Sequence, residues 1–361
     1  MTPRMRSNAR KVFTIMNAMS CGVTAPPFYW RADAFDVIGR YENLDNWHLE
    51  AIQTTPGFLA CQRRVFHLDG VQWIDENLSH VALNVVCKAS PSALTFNLIL
   101  HGDLPARING RLWQQNEIAV APGNGDADCL FPPARFCTLT VQRHILAEHL
   151  WVRDHVVLGD WGSEHCLLVD DVGLIALART KLYRLAADVD RHLQEKSTPS
   201  PAQIRTLRGE LLDLLAAVAL KAMKGNSRPL RRTVPAEVVR QARRYVMNHD
   251  GEALNVEALC RATRVSRRTL QQCFADVLGA SPVAYLRLMR LGAARRLLLA
   301  APPERRIQDV LAQLGIWHAS HFAAEYRALF GELPSETLKR SASIVMRKCQ
   351  SGCARLDGGG M

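Results

Sequence analysis

Between Val256 and Leu338 the chain runs twice through one pattern: a short helical block, a tight turn, and a second block with its apolar residues on one stripe. In the first copy Leu270, Cys273, Phe274 and Val277 fall at i, i+3, i+4 and i+7. A helix starting at Arg267 therefore buries that stripe and leaves Arg268, Gln271 and Gln272 on its exposed face. Asn255 and Ser266 stand where N-caps are needed, the turn falls at Arg264-Val265, and Gly279 ends the block. In the second copy Ile307, Val310 and Leu314 form the first block and Gly315 opens the turn. Phe322, Tyr326, Leu329 and Phe330 make the inner stripe, and Gly331 and Pro334 close it. Pro282 starts a connecting helix, Ser281 to Ala300, whose Tyr285, Leu288, Leu291, Leu297 and Leu298 supply apolar positions to both copies, while Val238, Ala242, Tyr245 and Val246 place a scaffold helix ahead of them. This end of the chain is expected to be an all-α domain of two tandem helix-turn-helix units joined by a linker helix.

Charge points to the same end. From Asn226 to Met361 there are 22 Lys plus Arg against 11 Asp plus Glu, whereas the first 225 residues carry 23 of each. The whole net charge of +11 therefore sits in the last third. A single-sign field confined to one domain suits a polyanion, since each cation placed near a phosphate releases condensed counterions.

With 361 residues, 48% hydrophobic and 22% charged, the chain is expected to form two or three globular domains. Apolar runs such as Val81 to Val86 and Leu211 to Leu220 fall short of the ~20 residues that span a bilayer, and Arg4, Arg6, Arg10 and Lys11 precede no secretory core. No membrane association and a cytoplasmic location are expected. Cys21, Cys61, Cys87, Cys129, Cys137, Cys166, Cys260 and Cys273 are scattered singly and read as small buried hydrophobes. Cys349 and Cys353 lie in a Gly-rich tail without metal-ligand spacing.

The fold class expected is α+β, with a β-rich sandwich or barrel-like domain plus helices preceding the all-α end. Residues 1–25 read as a mobile lead-in, 26–223 as the β-rich domain with a helical, possible dimerisation part at 143–223, 224–234 as a linker, 235–340 as the helix-turn-helix domain and 341–361 as a disordered tail. Strand character is expected at Phe58 to Phe66, Val81 to Val86, Ala93 to Leu100, Ala106 to Trp113 and Ile118 to Ala121. Asn109-Gly110 supplies the positive φ angles of a primed hairpin turn. Ile145, His149 and Val152 suggest a short helix, and longer ones are expected over Leu167 to Leu193 and Ala202 to Met223. In the last of these, Leu207, Leu211, Leu214, Leu215 and Val218 form a stripe that serves either the core or a dimer seam. Trp47, Trp73 and Trp113 are candidates to line an apolar pocket, while His48, His67, His80 and His101 lack the spacing of a metal site.

Arg268 can donate a bidentate pair to guanine, and Gln271 and Gln272 can both donate to and accept from adenine, each good pair discriminating by roughly 1–3 kcal/mol. Arg261, Arg264 and Arg267 are placed to meet phosphates, which sets register rather than sequence. The run Val265-Ser266-Arg267-Arg268-Thr269-Leu270, then Phe274, Gly279, Pro282, Tyr285, Arg290-Leu291, Gly315, Phe322, Phe330-Gly331 and Pro334, resembles the DNA-binding domain of the AraC/XylS family of bacterial transcription regulators over Ala236 to Arg340. The resemblance implies two recognition helices in successive major-groove turns. It assigns base contacts to Arg268, Gln271 and Gln272 in the first unit and to Ala319, Ser320, His321, Ala323 and Ala324 in the second. It also implies an activator that contacts promoter DNA and RNA polymerase, with an N-terminal half that senses a small-molecule effector or forms a homodimer. Leu311 and Ile316 depart from the alanine and phenylalanine usual in the family. Trp317-His318, Phe322-Ala323 and Tyr326 are further similar to the ethanolamine-utilisation regulators within it, which would imply ethanolamine with adenosylcobalamin as effectors. The N-terminal half shows no signature for that pair, and no other cofactor is expected.

Two other classes stay open: a non-specific architectural DNA binder, and a DNA-directed enzyme with a catalytic N-terminal half. The latter lacks a phosphate loop, nucleophile elbow or metalloprotease helix, and Ser163-Glu164-His165 are merely adjacent. Because three of the five reading positions in the second unit are alanine, the first unit is expected to supply most hydrogen-bonded readout. In an alanine scan of duplex affinity, Arg268→Ala and Gln271→Ala should each cost more, by roughly 1–3 kcal/mol, than Ser320→Ala or His321→Ala; the opposite ranking would reverse the assignment.

Overall fold

The computed structural model describes residues 28–35, 44, 47–123, 126–159, 166–195, 197, 199–225, 227–249, 255–302 and 305–340. The expected lead-in and tail, Cys21, Cys349, Cys353 and the Ser163-Glu164-His165 run lie outside them. Thirteen strands and nine helices are delimited among the described residues, and they stack in four layers.

Strands β1 (Phe28–Phe35), β3 (Ala60–Leu68), β4 (Val71–Ser79), β11 (Ala134–Gln142), β6 (Ala93–His101), β9 (Ile118–Pro122), β12 (Cys166–Val169) and β13 (Ser227–Leu230) form one sheet in that order. Strands β2 (Trp47–Gln53), β5 (Leu83–Ala89), β10 (Ala127–Phe131), β7 (Ala106–Ile108) and β8 (Arg111–Trp113) form a second. Every pairing is antiparallel. The β-rich expectation holds, with Asn109 at φ 53° and Gly110 at φ 79° making the β7–β8 turn. Strands β1, β2, β4, β10 and β11 were not foreseen. In β4 the residues Asp75, Glu76 and Asn77 break the apolar pattern, yet Asp75 is buried as the acceptor of a bidentate pair from Arg135 (2.8 and 2.7 Å) and a bond from Arg64 (3.0 Å). Arg64 also grips Asp190 (2.7 Å), which ties the sheet to the helices.

Helices α1 (Arg143–Asp154), α2 (Val172–Glu195) and α3 (Pro201–Met223) cover the outer face of the larger sheet. Two expectations are corrected here. Leu167 to Val169 is strand rather than helix: the run Leu167-Leu168-Val169 fits either period, and pairing to β9 and β13 decides it. Ser227–Leu230, placed in the linker by composition, is the edge strand β13, where the N–H that Pro229 lacks matters least. The short helix expected from Ile145, His149 and Val152 is α1; Leu146 and Leu150 are its buried residues and Ile145 packs beside them, while His149 meets Asp213 of α3 at 2.9 Å and Val152 is exposed. The α3 stripe of Leu211, Leu214, Leu215 and Val218 packs into the core under the sheet, so its partner is intramolecular.

A second core lies between the sheets. The third belongs to helices α4 (Val234–Asn248), α5 (Val256–Thr263), α6 (Arg267–Leu278), α7 (Pro282–Leu299), α8 (Ile307–Gln313) and α9 (Ala319–Phe330), and it takes in Ile52 of β2. The helical domain therefore docks on the outer face of the smaller sheet. At the centre of that contact the Asn84 Oδ1 accepts from Arg243 Nη1 (3.0 Å) and the Tyr285 hydroxyl (3.3 Å), while its Nδ2 donates to Asp128 Oδ1 (2.7 Å) and the Cys129 carbonyl (3.1 Å). Arg243 also reaches the Glu50 carbonyl (3.1 Å). Around this hub the Gln53 amide donates to the Leu329 carbonyl (2.8 Å), Arg244 meets Asp126 (2.9 Å), and Thr233 N–H donates to the Asn109 carbonyl (3.3 Å). A Cβ at Gly110 would stand 2.7 Å from Thr233 Oγ1 and 2.9 Å from Ala236 Cβ, so the hairpin tip needs its glycine for docking as well as for the turn.

Burial pushes the Tyr285 hydroxyl up to about 12, from ~10 in water. A raised folded-state value means that the stabilisation is complete below pH ~10 and is lost as the pH climbs through ~12, at most about 3 kcal/mol. Docking, followed by tyrosinate absorbance and by amide exchange over residues 236–248, should weaken across that window, and Tyr285→Phe should flatten the dependence. An equal slope in the variant would assign the loss to other groups.

Candidate nucleic-acid interface

The first helix-turn-helix unit is built by its caps. Asn255 Oδ1 accepts from Ala258 N–H (2.9 Å) to start α5, and Ser266 Oγ accepts from Thr269 N–H (3.1 Å) to start α6. Between them Arg264 takes the left-handed conformation at φ 56°, which costs a side-chain-bearing residue about 1 kcal/mol. The core shared with α4 and α7 holds it there. Gly279 closes α6 at φ 65°, and Ser281 with Pro282 opens α7. Leu270, Cys273, Phe274 and Val277 are buried as their spacing requires. Arg268, Gln271 and Gln272 are exposed together on α6, and Arg261, Arg264 and Arg267 are exposed around the turn. Gln272 is partly engaged by Asp276 (2.7 Å), and Arg267 lies 3.6 Å from Glu257 in a pair so exposed that it contributes little.

The second unit follows the same plan with a different lock. Gly315 (φ 63°) makes the turn, Gly331 (φ 73°) ends α9, and Phe322, Tyr326, Leu329 and Phe330 face inward. Here α9 begins without a side-chain cap, and fixation comes from its far end. The buried Arg295 guanidinium of α7 lies 4.3 Å over the Phe330 ring and 2.9 Å from Glu332. Tyr326 donates to Thr337 (2.8 Å), which donates to Glu332 (2.7 Å). Ala319, Ser320, His321 and Ala324 are exposed and Ala323 is half-buried, so the five positions share one outward face. His321 sits 3.6 Å from Glu325, which Arg287 also meets at 3.1 Å.

The two units are joined by α7, whose 18 residues span about 27 Å. Sequence reasoning passed over Trp317 as a surface group. It lies in the turn before α9 and is 84% exposed, the largest exposure among the big apolar side chains described. Its position off the apolar stripe was the available signal. Arg243 was also missed, although on α4 it continues the stripe of Ala236, Val239 and Val246, where a charge implies a buried partner.

A family described as Helix-turn-helix domain matches residues 259–340. Over 103 residues the chain is 36% identical to the probable thc operon regulatory protein of Rhodococcus erythropolis, covering 28% of this chain and 31% of that one. Over 97 residues it is 31% identical to XylDLEGF operon transcriptional activator 3 of Pseudomonas putida, covering 27% and 29%. These alignments thus span under a third of the relatives' own length. Among solved structures, a probable AraC family transcriptional regulator from Rhodopseudomonas palustris aligns with 34% identity, covering 29% of this chain and 97% of that chain, at a TM-score of 0.27.

If Arg261, Arg264 and Arg267 each neutralise one phosphate, log affinity should fall with log salt at a slope of about −2.7, or ~40-fold between 50 and 200 mM. Arg267→Ala should flatten the slope by about 0.9, whereas Gln271→Ala should leave it unchanged; an unaltered slope in the first variant would remove Arg267 from the phosphate contacts. Residues 259–340 of this chain form a helix-turn-helix domain.

Proposed function

We propose that the protein is a sequence-specific DNA-binding transcription regulator, acting as an activator, rather than an enzyme. The observation that carries this reading is the pair of exposed faces on the two helices α6 and α9, one bearing Arg268, Gln271 and Gln272 and the other Ala319, Ser320, His321 and Ala324. Arginine and glutamine supply donor and acceptor pairs suited to base edges, and the alanines suit thymine methyl groups. The matched relatives are named as an operon regulator and a transcriptional activator. In this reading the chain works in the cytoplasm on promoter DNA and communicates with RNA polymerase. No helix among the described residues is long and apolar enough to cross a membrane.

The N-terminal half is the sensor in this reading. Its two sheets enclose a cavity of about 50 Å³ lined by Trp47, Asn97, Trp113 and three cysteines. Ligand pockets for drug-sized molecules run to ~300–1,000 Å³. The cavity therefore suits a very small effector or a covalent signal far better than adenosylcobalamin, and ethanolamine rests on the family resemblance alone. A homodimer would have to use a surface other than the α3 stripe, which the core consumes.

Selection from a random duplex library by the full chain, with Arg268→Ala in parallel, tests the proposal. Enrichment of two sequence blocks about one helical turn apart, with one block relaxed in the variant, is the expected outcome. Salt-sensitive binding without an enriched sequence would favour an architectural DNA binder instead.

A further inference from the structure

Three cysteines far apart in sequence meet in the cavity between the sheets: Cys87 on β5, Cys129 on β10 and Cys166 on β12. All three are free thiols, and the Cys87 and Cys129 Sγ atoms are 3.8 Å apart. Cys129 and Cys166 are buried, whereas Cys87 is partly open, so a small solute reaches Cys87 first. A cavity of about 50 Å³ admits a few waters or a molecule of similar size. Among the described residues no group of three His, Cys, Asp or Glu side chains is arranged to hold a metal ion. The chemistry left to a close thiol pair is two-electron oxidation.

We propose that Cys87 and Cys129 are a thiol switch, closed to a disulfide by a hydroperoxide, that controls how the DNA-binding domain is held; this rests on the regulator reading above. The Cys87 sulfur attacks the peroxide, the O–O bond breaks, and water or an alcohol leaves with the Cys87 proton. The Cys129 sulfur then displaces the hydroxyl of the Cys87 sulfenic acid, whose departure as water takes the Cys129 proton. In sum two thiols and one hydroperoxide give one disulfide, one water and one water or alcohol.

The position of the pair makes the bond consequential. In the β5–β10 register Cys87 faces Ala127 and Cys129 faces Val85, so the cysteines are diagonal neighbours. Diagonal positions are set ~7–8 Å apart by the ladder, whereas disulfides usually span Cα distances of at most ~6.8 Å. Closing the bond therefore requires the backbones of β5 and β10 to shift toward each other at the cavity face. Their opposite face carries Asn84 and Asp128, and the Cys129 carbonyl itself accepts from Asn84. Asn84 in turn holds Arg243 and the Tyr285 hydroxyl. The Tyr285 ring packs edge-on against Phe274 of α6 at 5.4 Å, so a displacement at the thiols runs through three contacts, Cys129 to Asn84, Asn84 to Tyr285 and Tyr285 to Phe274, to the helix that carries Arg268 and Gln271.

The test uses the full chain, reduced, then treated with hydrogen peroxide. Non-reduced peptide masses should show one cross-link, Cys87 to Cys129, with a loss of 2 Da. Amide exchange over residues 236–248 should accelerate, and affinity for the selected duplex should fall by about tenfold, within the range of ordinary allosteric couplings, both reversed by dithiothreitol. Cys87→Ser and Cys129→Ser should abolish all three effects, whereas Cys166→Ser should keep them. Tyr285→Phe should still form the cross-link but lose the affinity change. Thiols that survive peroxide, a cross-link to Cys166 instead, or a cross-link that leaves exchange over 236–248 unchanged would overturn the proposal. If the reduced chain selects no duplex sequence, the regulator reading fails, while the mass and exchange measurements still decide on the switch.

Discussion

The side chain of Asn84 is the point on which the two halves of this molecule meet. Both its oxygen and its nitrogen are fully used, accepting from Arg243 and Tyr285 and donating to Asp128 and the Cys129 carbonyl. Removing one partner from such a buried set would leave a charge or a polar atom unpaired, which costs about 3–5 kcal/mol when the orphan is ionic. The network is therefore a specific joint: only one seating of α4 and α7 on the smaller sheet satisfies all of its members. Apolar contacts such as Ile52 within the helical core add adhesion, but they would tolerate sliding.

That joint gives the layered architecture its meaning. The larger sheet is backed by α1 to α3, and the smaller sheet has the cavity on one face and the helical domain on the other. A β-strand sends successive side chains to opposite faces, so Asp128 and Cys129, neighbours in sequence, belong to the docking surface and to the cavity respectively. A change on the inner face cannot be absorbed by a flexible loop before it reaches the outer one. Meanwhile the reading ends of α6 and α9 stay exposed in the docked arrangement, so docking governs how these helices are held rather than whether DNA can approach them.

Within the helical domain the two units achieve rigidity by different means. The first depends on side-chain caps at Asn255 and Ser266 and on a left-handed arginine at its turn. The second lacks a cap on α9 and depends on Arg295, Glu332, Thr337 and Tyr326 gathered at the end of that helix. Arg268, Gln271 and Gln272 fall on the capped unit, and the alanine-rich face falls on the other.

The helical domain was legible in the sequence because its determinants are local. Caps, glycine turns and an i, i+3, i+4, i+7 stripe act within a dozen residues, and Arg268, Gln271 and Gln272 follow as whatever the stripe leaves outside. The Asn109-Gly110 turn was legible for the same reason. Strand pairing was not, since Asp75 looks like a surface residue until Arg64 and Arg135 arrive from other strands, and Ser227–Leu230 looks like linker until β12 lies beside it. The cysteines are the clearest case. Read singly they are small buried hydrophobes, and only sheet register brings Cys87, Cys129 and Cys166 to one cavity. Local periodicity and capping thus determined the helix-turn-helix units from the sequence by itself, while the cavity between the sheets, its thiols and the Asn84 joint were decided by tertiary structure, because each depends on contacts between residues dozens to hundreds of positions apart.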